Sequence, residues 1–172
     1  MPTGLKTSSG QIIISGQVTE SAANTYTQEE VDLQLNVLDR EVFVVTALDL
    51  NVTCPEIQIS GADVSSRGCL STTSRSSIGS IANSNVLGST RITAEGHAGG
   101  LYVISDTSSL QGPPTNMDYM GIISTNNFFA GLKGDGNTNE MKMDYRLYGY
   151  RARATADVYA ALVQSELLSA DA

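Results

Sequence analysis

The sequence predicts an all-β protein, built as an antiparallel β-sandwich, jelly roll or barrel. Three observations carry this. Apolar and polar residues alternate with a period of two in several long runs. Turn residues separate most of those runs. No strand alternates with a helical stretch of roughly ten to fifteen residues, which excludes a parallel α/β sheet. The 172 residues suit one domain with a sizeable core of its own.

Taken in order, residues 1–10 are small and polar and read as an N-terminal arm. Gln11–Thr19 is β-rich, with a break at Gly16, and Ser21–Gln28 is a loop. Val31, Leu33, Leu35 and Val37 alternate with Asp32, Gln34 and Asn36, the pattern of a strand with one buried face. Leu38–Glu41 is a turn. Val42, Val44, Thr46, Leu48, Leu50 and Val52 form a second run, and Phe43 and Val45 on its other face place its first half mid-sheet or beneath a neighbour. Pro55 stops it. Ile57 and Ile59 mark a short strand.

Residues 61–85 are rich in Ser and Gly and read as an extended loop region of short irregular strands, or as a contact segment ordered by a partner. Strands follow at Val86–Ala94, Leu101–Ser105, Tyr119–Ser124 and Phe128–Lys133. Between them lie the turn at Glu95–Gly100, the loop at Gly112-Pro113-Pro114 and a two-residue turn at Asn126-Asn127. Gly134–Asn137 turns into a last long strand, where Met141, Met143, Tyr145 and Leu147 alternate with Lys142, Asp144 and Arg146. The period then changes. Thr155 can cap a helix, Asp157 suits its first turn, and Val158, Tyr159, Leu162, Val163 and Leu167 recur at helical spacing over 156–168. A strand over Val158–Val163 is the rival. The layout is thus an arm at 1–10, a β domain at 11–154 and a C-terminal helix or tail at 155–172.

Composition narrows the function. Charged residues are 16%, against roughly 25% in average domains. The net charge is −8, and the lysines are Lys6, Lys133 and Lys142. Nucleic-acid binding and polybasic membrane anchoring need clustered bases, so both are excluded. No apolar stretch is long enough to span a membrane as a helix, and the N-terminal run is too short for a signal peptide. Synthesis in the cytoplasm is expected. Acid-rich, Lys-poor surfaces also stay hydrated at high salt, which hints at a halophilic setting.

The tests for chemistry fail one by one. Cys54, Cys69 and the single His97 cannot complete a zinc site. The two thiols read as buried or half-buried, with a bridge within or between chains as the alternatives. His97 in EGHAGG loosely resembles an esterase oxyanion loop, but no G-x-S-x-G elbow accompanies it. One histidine cannot make a cupin metal site. Asp135–Asn139 matches the first half of a calcium loop, yet Glu140 and Arg146 occupy the positions where Gly and Glu belong. Asn51-Val52-Thr53 is a glycosylation triplet inside a predicted strand and is expected to stay unused. A glycosidase would need a carboxylate pair and sugar-stacking aromatics, and Trp is absent. No catalytic, cofactor-binding or metal residue is therefore assigned, and the protein is expected not to be an enzyme.

The paired runs VDLQLNV and EVFVVTALDLNV, the Ser/Gly-rich middle and the closing NEMKMDYRLYGYRAR resemble a known class. It is the small major capsid protein of tailless icosahedral viruses with an internal membrane that infect halophilic archaea. The resemblance covers the chain in outline. It implies a single jelly roll and a structural role in the virion, as a capsid subunit. It also implies partners: copies of itself, a larger related capsid protein, and membrane-associated virion proteins beneath the shell, with no direct contact to nucleic acid. Two other classes stay open. One is another virion component, such as a decoration, spike-base or tail protein, which would form an isolated ring. The other is a non-catalytic ligand-binding sandwich, which would be a monomer with a concave Tyr- and Asp-bearing patch.

Overall fold

The computed structural model describes residues 3–58 and 61–169. The elements are β1 (Leu5–Thr19), β2 (Thr27–Asp32), a 3-10 turn (Val37–Asp39), β3 (Glu41–Val52), β4 (Val64–Ser71), β5 (Val86–His97), β6 (Leu101–Ser108), β7 (Gly121–Ile123), β8 (Asn127–Asp135), β9 (Lys142–Ala154) and α1 (Ala156–Ser169). Two antiparallel sheets form, ordered β1-β9-β3-β7 and β2-β8-β4-β5-β6.

The pairing is nested. β1 lies on β9, β2 on β8, β3 on β7 and β4 on β5. A long hairpin rolled on itself gives this pattern, and it defines a single jelly roll. β6 is an added fifth strand beside β5.

The main core fills the space between the sheets. Phe43, Leu48, Leu50, Met143, Tyr145 and Leu147 meet Leu70, Phe128, Ala130 and Leu132 from the other side. Phe128 and Tyr145 meet edge to face, with ring centres 6.1 Å apart. One long run does not keep a single face. A register shift between Val45 and Ala47 flips β3, so its core residues are Phe43 and Val45, then Leu48, Leu50 and Val52. Across that shift stands Gly149. A Cβ there would collide with the Val44 carbonyl and the Phe43 ring, so glycine is needed for the close approach.

A second core lies on the outer face of the first sheet. Leu5, Val42, Val44, Ala152 and Ala154 pack there under Val158, Tyr159 and Leu162 of α1. This explains why the first half of β3 is buried on both faces: it sits mid-sheet with a helix above. The predicted helix is present, and the rival strand is not.

Several expectations are corrected. Leu5–Gly10, expected within the arm, begins β1, and Leu5 pairs with Ala154. The Val31–Val37 alternation outlasts its strand. β2 ends at Asp32, while Leu33 and Leu35 stay buried in an irregular stretch held by Asn126. The Asn126 carbonyl and side-chain oxygens accept from the Leu33 and Leu35 amides at 2.7 and 2.6 Å. Ile57 is exposed and outside any strand, and Ile59 lies outside the described residues. Within 61–85, residues Val64–Ser71 form β4, a central strand between β8 and β5. Its burial comes from within the chain. Finally, Asn126-Asn127 and Gly134–Asn137 do not close hairpins. Each carries the chain from one sheet to the other.

Candidate assembly surfaces

The residues flagged for chemistry lie apart. His97 is exposed at the end of β5. Cys54 is exposed and Cys69 buried, and both are free thiols. The 72–85 loop covers Cys69, with the Gly79 amide 3.4 Å from its sulfur. Burial raises that thiol's pKa above its ordinary value. Asn51 is exposed near the end of β3.

The Asp135–Asn139 loop spends its polar groups on the protein itself. Asp135 pairs with Lys133 at 3.1 Å and with Arg67 at 3.6 Å. Asn137 is buried and donates to the Ser65 carbonyl. The Thr138 and Asn139 amides and the Asn139 side chain donate to Glu56, holding its pKa below the ordinary carboxylate value. Among the described residues, no group of three His, Cys, Asp or Glu is placed to hold a metal ion.

Two buried carboxylates, unmarked by any sequence pattern, hold the roll closed. Glu20 accepts from the Gly134 and Met141 amides at 2.7 and 2.8 Å. It locks the end of β1 to the β8–β9 crossing. Glu166 is the buried residue of α1. It accepts from the amides of Ser124 and Thr125 at 2.9 and 3.1 Å and from both their hydroxyls. It pins the helix to the β7–β8 crossing. Both sit at chain crossings, where amides have left the sheet ladder and need acceptors.

Away from the part that α1 covers, the outer faces carry rows of polar side chains. On the first sheet, Gln17, Asp144 and Asn51 form one cross-strand row, and Ser15, Arg146 and Asp49 form the next. They line an open groove of about 770 Å³, bridged by a 2.7 Å bond from Gln17 to Asp144. On the second sheet, Lys133, Arg67 and Arg91 lie side by side across β8, β4 and β5. Like charges directly opposite repel. Asp135 offsets the first two, and Arg91 turns its Nε onto the Thr93 hydroxyl at 2.7 Å.

The sheet edges differ from one another. β1 carries a register break between Thr7 and Gln11. β7 has three residues. β2 exposes Glu29, Glu30 and Asp32. All of these discourage edge-to-edge pairing. β6 lacks such features: it runs for eight residues with exposed Leu101, Val103 and Ile104.

No protein-family model matches the chain, and no curated protein matches it. Solved structures give distant likenesses. The unassembled VP1 pentamer of Merkel cell polyomavirus aligns over 83% of this chain and 96% of its own, at 4% identity and a TM-score of 0.42. Desmodium yellow mottle tymovirus aligns over 91% and 95%, at 11% identity and a TM-score of 0.32. The unassembled VP1 pentamer of KI polyomavirus aligns over 76% and 74%, at 9% identity and a TM-score of 0.34. Likeness at this level carries no function, and the fold stands on the strand pairing itself.

Proposed function

We propose that this protein is a structural subunit of a viral capsid, a single jelly roll that docks against copies of itself and against a larger capsid protein of related fold. The observation that carries the reading is the nested pairing of β1–β9, β2–β8, β3–β7 and β4–β5, locked at its crossings by Glu20 and Glu166. This is a rigid block whose polar side chains serve its own closure. Such a block suits repeated lateral docking, in which each stable contact buries roughly 1,200–2,000 Å², and closed symmetry then multiplies the contacts. The location that follows is the virion. A membrane-associated protein beneath the shell and a salt-rich host belong to the same reading, supported by the acidic, Lys-poor composition.

The test is sedimentation velocity with negative-stain electron microscopy on the purified chain over a range of concentrations. Discrete oligomers, or curved assemblies built from them, are expected. A single monomeric boundary at every concentration would overturn self-assembly.

A further inference from the structure

We infer that the cross-strand row Lys133–Arg67–Arg91, on the outer face of the second sheet, is a binding site for a doubly charged tetrahedral oxyanion, a sulfate or phosphate group. The site stands whether or not the chain builds a shell.

The first support is the placement of charge. The chain holds 10 bases against 18 acids. Three of those bases stand on one rung, because Arg67 on β4 is opposite Lys133 on β8 and Arg91 on β5. Gly68 and Leu70 face the core, so Arg67 points outward. Neighbouring strands lie about 4.8 Å apart, and the row therefore spans about 10 Å. Like charges directly opposite one another destabilise a sheet. A counter-charge on the row removes that cost.

The second support is what these side chains lack. Lys133 and Arg67 share the Asp135 carboxylate, at 3.1 and 3.6 Å. The longer contact is an ion pair without a hydrogen bond. Among the described residues, the Arg67 Nε is shielded from solvent and has no acceptor. Arg91 is exposed and donates its Nε to the Thr93 hydroxyl at 2.7 Å. No carboxylate among the described residues pairs with it. Three positive charges meet one negative charge, a surplus of two. A tetrahedral dianion matches that surplus, and two adjacent guanidinium groups offer the forked donors that hold such oxygens.

The third support is the surroundings. The three bases line a hollow of about 460 Å³. Ser65 and Thr93, opposite one another on an adjoining rung, line it too. Their hydroxyls can donate to an oxyanion without adding charge. Asp63 and Glu95 also line the hollow. Asp63 is spent on the Gly96 amide at 2.9 Å. Glu95 stands four residues along β5 from Arg91, about 13 Å away. That exceeds the screening length of about 8 Å at physiological salt.

The experiment titrates the isotope-labelled full chain with sodium sulfate, and with sodium chloride at matched ionic strength. Backbone amides and arginine Nε–H signals are followed by NMR. Saturable sulfate shifts at Arg67, Arg91 and the amides around them are expected, with no saturable shift in chloride. Arg91→Gln should weaken sulfate binding by at least about tenfold. Arg153→Gln, at the separate ion pair with Asp39, should leave it unchanged. Both arginines are exposed, and signals far from each substitution check the fold. Acetate, planar and singly charged, should bind more weakly than sulfate. Two further probes separate the sources of the group. Inorganic phosphate binding more tightly than O-phosphoserine marks a site for the free ion, and the reverse order marks a site for a phosphate carried on a partner chain. Shifts that follow ionic strength alone, or sulfate binding that Arg91→Gln leaves intact, would overturn the site. Acetate binding as tightly as sulfate would overturn its preference for a dianion.

Discussion

Glu166 sits on a helix whose apolar residues the sequence displays openly, yet it is the side chain that α1 buries. Its oxygens satisfy two amides and two hydroxyls at Ser124 and Thr125. Leaving buried donors without an acceptor costs about 1–3 kcal/mol. Glu166→Ala should therefore lower the urea midpoint by a corresponding amount and speed exchange in α1 and at 124–125 before the sheets open. Tyr145 makes a second case. Burial, with the Glu29 carboxylate beside it, pushes its phenol up to about 12 from 10.0. Its folded pKa is raised, so the stabilisation is fully present below pH 10 and is lost as pH climbs toward 12. Wild-type stability should fall across that window in a urea titration series. Tyr145→Phe should flatten the fall, and absorbance near the tyrosinate band should lose one late-titrating group. An unchanged slope would show that the ring is not the group responsible.

At the scale of elements, legibility follows the size of the side chains that a strand buries. β3, β8 and β9 announce themselves because each fills its side of the core with large apolar residues in alternating runs. β4 does not. Its inward positions include Ser66 and Gly68, and the volume they lack is supplied from the opposite sheet by Met143 and Val52. A strand of serines and glycine reads as a loop even when it is central. A Cβ at Gly68 would meet the sulfur of Met143 and a methyl of Val52. Gly68→Val should thus destabilise by about 1–3 kcal/mol through overpacking. Combining it with Met143→Ala should cost less than the two changes summed, because the second opens space for the first. Chemical denaturation of the four proteins in that cycle checks this. β6 shows a different limit: Leu101–Ser105 is legible as a strand, and the strand forms, but the run does not show that Leu101, Val103 and Ile104 stay exposed. Apolar character was visible in the sequence, but its place at the edge of the wider sheet depends on how distant strands pair.

Across the whole molecule, the sandwich, most of its strands and its terminal helix were readable, while β4, the crossings and their carboxylate locks were not. Glu20 and Glu166 work through amides some 114 and 42 residues away. No local pattern encodes a partner at that distance. The candidate surfaces share this limit, since edges and faces exist only after the sheets close. Charge acts at the same scale. With a net charge of −8, copies repel one another at low ionic strength, and salt screens them to within about 3 Å at 1 M. Self-association should therefore strengthen from low salt to molar salt, read as a rising sedimentation coefficient at fixed concentration. Assembly that dissolves as salt is raised would point to contacts dominated by ion pairs.

The pairing of Leu5 with Ala154 also governs the order in which the protein can be made. β1 waits for β9, so the roll cannot shut until residues 5–154 are all available. Topologies dominated by such remote partners fold slowly. A chain without β9 therefore leaves β1 with no strand partner and β3 with β7 alone.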